Sequence, residues 1–157
     1  MNKEIYNSYK EMPKIKKEDI EKATLEIWKS PLFTPRLKMK FFDDLLWGIS
    51  ELNGKYSTNF ISKGALDEVG WSTPLSKEKK GKICHEHFIS RGKLRLQMVN
   101  AKSRKELLEL LNMSIGITIL RTEHLVIGHK IEGFSKYQAK GIKIFDRHTK
   151  KEVQSIT

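Results

Sequence analysis

Apolar residues recur along this chain at two different periods, and the change between them constrains the fold more than any other feature. Ile20, Ala23, Ile27 and Trp28 return at helical spacing between Lys17 and Lys29, and Ser30-Pro31 ends the run. Leu37, Phe41, Leu45, Ile49 and Leu52 form a second helical stripe that begins near Pro35 and closes at Asn53-Gly54. After Asn112 the period drops to two. Ile115, Ile117 and Ile119 alternate, as residues of a strand do. A chain carrying both patterns must bury helical faces against a sheet. The expected fold is α+β, a helix-dominated single domain with a small sheet of about three short strands, near residues 82, 117 and 143.

Shorter elements fill the rest. A helix is expected between Ser62 and Val69, ended by Gly70, and then a lysine-rich loop, WSTPLSKEKKGK. A strand-like approach, Gly81 to Cys84, follows. Ser90 and Ser103 are candidate N-caps, the first for a helix carrying Leu94, Leu96 and Met98, the second for RKELLELLNM. Thr122 is the candidate cap of a short helix ending at Gly128. A last helix is expected over Phe134 to Ala139, and a last strand over Ile142 to Phe145. Residues 1–17 read as a flexible basic arm. Residues 18–157 read as one globular domain, with a helical scaffold over 18–70 and the candidate site over 81–147.

Charge limits the partners. The chain has 157 residues and a net charge of +11, from 30 Lys and Arg against 19 Asp and Glu. Such a surplus repels itself unless a polyanion relieves it, and phosphate contacts also release counterions. Nucleic acid is therefore the expected partner, DNA ahead of RNA. An acidic protein or an anionic surface would meet the same requirement. Lys77, Lys79, Lys80, Lys82, Lys93, Arg95, Lys102 and Arg104 are the candidate phosphate contacts. No stretch is apolar enough to span a bilayer, and the first twenty residues lack the apolar core of a signal peptide. Cys84 is the only cysteine, which excludes an intramolecular disulfide and a cysteine-based zinc finger, and fits a reducing cytoplasm.

The tripeptide His85-Glu86-His87 is the least ordinary feature. Imidazole and carboxylate together can hold a divalent ion, and a neutral imidazole is a good base for activating water. Lys80, Lys82, Arg91, Lys93 and Arg95 flank the tripeptide, and cations stabilise the charge that develops at phosphorus. A plainer reading stands beside this one. In an extended segment His85 and His87 point to one face and Glu86 to the other, and all three can be structural. His124 likewise fits a structural role on an amphipathic segment.

The segment from Gly81 to His129 resembles the metal site of HNH, or ββα-metal, nucleases. That family places an acidic residue or His before a general-base His at the end of a strand, an Asn in the hairpin, and a His or Asn on the next helix. The resemblance implies Glu86, or His85 in its place, as a metal ligand, His87 as the base and Asn100 as the orienting residue. Asn112 or His124 would be the last ligand, and Mg²⁺, Mn²⁺ or Zn²⁺ the ion. It implies a metal-dependent endonuclease acting on DNA, in restriction or phage defence; Arg91, one of the flanking cations, is the candidate contact to the reacting phosphate. Cutting both strands of a symmetric site would need a homodimer. A non-catalytic DNA- or RNA-binding or inhibitor protein is the alternative. So is a metal-independent RNase using His87 and Arg91. The trio HEHFISR, RTEHL and GFSKYQAKGIKIF is also similar to short bacterial and phage-borne proteins with an HEH tripeptide. That similarity groups His85, Glu86, His87, Glu123 and His124 in one site.

Overall fold

Serine and threonine start most of the helices. The computed structural model describes residues 15–71, 76–128 and 131–155. Its elements in chain order are α1 (Lys17–Lys29), α2 (Pro35–Ser50), β1 (Phe60–Ser62), α3 (Lys63–Val69), α4 (Lys77–Lys82), β2 (Ile83–His87), α5 (Arg91–Val99), α6 (Arg104–Asn112), β3 (Gly116–Leu120), α7 (Arg121–Ile127), α8 (Ser135–Gln138), β4 (Ile144–Asp146) and β5 (Glu152–Val153). The side chains of Thr34, Ser62, Ser76, Ser90 and Ser103 each accept a backbone N–H from the first turn of the helix they precede. A cap of this kind is worth about 1 kcal/mol.

The four longest helices, α1, α2, α5 and α6, share one core. Phe42 and Leu46 of α2 meet Leu94 and Met98 of α5 and Leu107 and Leu111 of α6, all fully buried, with Ile20 of α1 against them. Each such side chain contributes about 1.5–3 kcal/mol through burial. The five strands run in the order β2-β3-β1-β4-β5. β1 is parallel to β3 and antiparallel to β4, so the sheet is mixed. β2 is an edge strand, antiparallel to β3, in the register His85 to Thr118, Glu86 to Ile117 and His87 to Gly116. One face of the sheet meets α2. The other carries Ile117 and Ile119 and packs on Ile127 and Tyr137.

The α+β class stands, with five strands where three were expected. β1 and β5 have three and two residues, too short to display a period. Residues 77–82 form a helix instead of a loop, because Ser76 caps it, and β2 accordingly starts at Ile83, not Gly81. Thr122 does not cap α7. Leu120 holds that position, and its N–H goes to the Glu123 carboxylate at 2.9 Å. On α5, Leu94 and Met98 are buried, whereas Leu96 is 54% exposed. Most of the basic arm, residues 1–14, lies outside the described residues. Among the described residues no helix is long and apolar enough to cross a membrane.

Candidate active site

The tripeptide folds as the alternation of a strand dictates. Ile83, His85 and His87 are buried on one face of β2, and Cys84 and Glu86 are half-buried on the other. The two faces hold different chemistry.

On the first face the histidines pack beneath α2. The ring of Trp47 lies 5.3 Å from that of His85 and 5.2 Å from that of His87, and the two imidazoles are 4.8 Å apart. His85 Nδ1 is 3.0 Å from the Lys55 carbonyl. A carbonyl only accepts, so Nδ1 carries the proton. Burial lowers the pKa of His85, which keeps the ring neutral and leaves Nε2 a lone pair. That Nε2 is buried with no hydrogen-bond partner among the described residues. His87 Nε2 is 3.1 Å from Ser50 Oγ, whose hydroxyl donates to the Trp47 carbonyl at 2.9 Å. With its one proton so used, Ser50 must accept from His87, which fixes the Nε2–H tautomer. Burial first, then the charges of His85, Arg91 and Lys136, push the pKa of His87 down to about 3. Arg91 lies over Trp47 at 4.5 Å and binds Asp43 at 3.0 Å, and Arg95 reaches the same carboxylate at 3.4 Å.

On the second face Glu86 joins three segments. Its Oε1 accepts from Lys136 Nζ at 2.7 Å, and its Oε2 lies 2.9 Å from His124 Nδ1. Lys136 is only 4% exposed and also donates to the His87 carbonyl at 2.5 Å. The expense of burying an ammonium is offset by these two acceptors. His124 keeps 42% of its side chain exposed, and its Nε2 makes no hydrogen bond among the described residues. Tyr137, beside Lys136, is fully buried, and burial and then Glu86 push its pKa well up. The Cys84 thiol is likewise pushed up by burial, so it stays protonated.

These placements divide the expected site. Glu86 and His124 come together. His85 and His87 also come together, but on the opposite face, so the imidazoles of His87 and His124 do not share one centre. Glu123 serves the α7 cap and accepts from Ser62 Oγ at 2.5 Å. Asn100 and Asn112 bond back to the carbonyls of Leu96 and Leu108 in their own helices. β2 passes into α5 through only Phe88–Ser90, so a helix stands where a ββα hairpin would lie. Both Glu86 oxygens are engaged, and among the described residues no three or more of His, Cys, Asp and Glu are grouped to hold a metal ion. His129 lies outside the described residues. Of the candidate phosphate contacts, Lys77, Lys79, Lys80 and Lys82 project from α4, where every residue is exposed, and Lys82 also pairs with Glu68 at 2.6 Å. Lys93, Lys102 and Arg104 are exposed as well.

Lys136, Trp47 and Ser50 were missed in the sequence. A lysine in a short polar segment carries no sign that it will be buried, and Trp47 and Ser50 read as scaffold. Comparison with family models, with curated proteins and with solved structures finds no match.

Proposed function

We propose that this protein cleaves nucleic acid at phosphodiester bonds, with His124 as general base and Glu86 as the group that orients it. One observation carries the reading: the Glu86 carboxylate lies 2.9 Å from His124 Nδ1, on an imidazole that remains 42% exposed. With its proton on Nδ1, toward the carboxylate, the neutral ring keeps its lone pair at Nε2, free to take a proton from a hydroxyl, and the carboxylate stabilises the imidazolium that results. Lys136 holds the other oxygen of Glu86 and so fixes the carboxylate's direction.

RNA is the substrate that asks least of such a pair, because its own 2′-hydroxyl is the nucleophile. His124 Nε2 takes the 2′-proton, the 2′-oxygen bonds to phosphorus, and the 5′-oxygen leaves with a proton returned by the imidazolium. The products are a 2′,3′-cyclic phosphate and a free 5′-hydroxyl. No metal enters these steps. The net charge of +11 and the exposed lysines of α4 supply phosphate contacts that position the strand without reading its sequence. Those lysines also favour a second reading, a module that binds nucleic acid without cutting it.

The test incubates the protein with single-stranded RNA and with supercoiled plasmid, each in EDTA and in Mg²⁺ or Mn²⁺. RNA cleavage that survives EDTA and leaves cyclic phosphate ends is the expected result. Plasmid nicking abolished by EDTA would instead support the metal-dependent DNA endonuclease. Salt-sensitive binding without cleavage of either substrate would support the binding module.

A further inference from the structure

Helix α7 carries a second exposed charged group besides His124. Arg121 stands three residues before it, one turn away on the same short helix. Its Nε donates to the Gly81 carbonyl at 2.7 Å, near the end of α4. That contact fixes the guanidinium and leaves its two terminal nitrogens, Nη1 and Nη2, without a hydrogen bond among the described residues. A guanidinium held in this way presents a planar pair of donors, which matches the oxygens of a phosphate.

The same contact ties α7 to the most basic helix of the chain. Lys80 and Lys82 flank Gly81, and Lys77 and Lys79 lie on the same helix, all of them exposed. Two carboxylates stand near these cations. Glu68 is taken up by Lys82 at 2.6 Å, and Glu78 belongs to α4 itself. Five cations against two carboxylates leave a strongly positive patch that ends at α7.

This patch is separate from the reacting centre. His124 reaches β2 at Glu86, whereas Arg121 reaches the chain at Gly81, before the strand begins at Ile83. From Ile83 to Glu86 the strand alone spans about 10 Å. A separation of that order suits two different phosphates of one strand.

We propose that Arg121 and the exposed lysines of α4 form a phosphate subsite remote from the scissile bond, so that the ligand is an RNA strand several nucleotides long and a dinucleotide is too short. The place of the scissile bond rests on the reading of His124 as base; the subsite binds whether or not that bond is cut. Contacts so far from the reacting atoms hold the strand and leave the chemical step itself unchanged.

Fluorescence anisotropy with 2′-O-methyl oligonucleotides tests the subsite, because these lack the 2′-hydroxyl and cannot be cleaved by the proposed route. Chains of two, four and eight nucleotides are titrated over a range of KCl concentrations. The octamer should bind at least about tenfold more tightly than the dinucleotide. Arg121→Gln should weaken octamer binding by about tenfold and reduce its salt slope by about 0.7, the share of one phosphate contact, while dinucleotide binding and Tm stay as they were. Arg121→Lys should restore most of the affinity, although it loses the bond to Gly81, which a purely structural arginine would not do. Lys80→Gln should act in the same direction as Arg121→Gln, and His124→Ala should leave affinity unchanged. Loss of octamer affinity in Arg121→Gln with no cleavage of ordinary RNA would refute the cleavage reading and keep the subsite. Unchanged octamer affinity and salt slope in folded Arg121→Gln, equal binding of dinucleotide and octamer, or no binding of any chain would overturn the inference, even where His124 proves essential for cleavage.

Discussion

Glu86 Oε2 lies 2.9 Å from His124 Nδ1, and through this contact the strand β2 and the short helix α7 present one exposed imidazole edge. The pair depends on Lys136, the buried cation at the other carboxylate oxygen.

Removing that cation should be costly. Lys136→Met leaves the half-buried Glu86 carboxylate and the His87 carbonyl without their donor, and loss of one partner of a buried pair costs about 3–5 kcal/mol. Urea denaturation measures it. The double variant Lys136→Met with Glu86→Gln should recover part of the loss, because the uncompensated charge goes too. A loss below about 1 kcal/mol in the single variant would mean that the pair does not hold the segments together.

The buried histidines set a pH dependence. Both pKa values are lowered in the folded protein, that of His87 to about 3, whereas an unfolded histidine titrates near 6.5. Between about pH 6.5 and pH 3 the unfolded chain binds more protons, so it gains on the folded one as pH falls. Stability should be full above about pH 6.5 and should decline steadily toward about pH 3. Arg91 and Lys136 add to the repulsion, and Glu51, 3.8 Å from His85 Nδ1, partly opposes it. Thermal melts across that range check the trend. His87→Phe should flatten it, and an unchanged slope in that variant would assign the acid sensitivity elsewhere.

Gly116 should be intolerant of a side chain. A Cβ there would lie 2.3 Å from His85 Cε1 and 3.0 Å from Thr58 Cγ2. Gly116→Ala should destabilise by about 1–3 kcal/mol through overpacking. In combination with His85→Ala the two losses should be less than additive, since the second substitution frees the space the first needs. Additive losses would show that the ring is not the obstacle.

The sequence displayed these features unevenly. The helices α1 and α2 were legible because their apolar stripes persist for several turns. The opposed faces of His85-Glu86-His87 followed from strand alternation alone. The contact between Glu86 and His124 was expected only as membership of one site, and through resemblance. Its geometry depends on how α7 leaves β3, which the cap at Leu120 and Glu123 decides. His87 drew the role of base because it stands beside an acid in the chain. The fold gives that acid to the other face and encloses His87 under Trp47 and Ser50, positions that no local pattern connects to it.

The central claim is that His124, not His87, is the working imidazole. The direct measurement is the single-turnover rate of RNA cleavage in EDTA by His124→Ala and by His87→Ala, with RNA affinity and Tm determined in parallel. His124→Ala should lose about 10²–10⁴ in rate with affinity and Tm near those of the unsubstituted protein, as loss of a positioned base does. His87→Ala should lower Tm and leave the rate per folded molecule close to unchanged. A full rate in His124→Ala, or a rate abolished in a stably folded His87→Ala, would contradict the account.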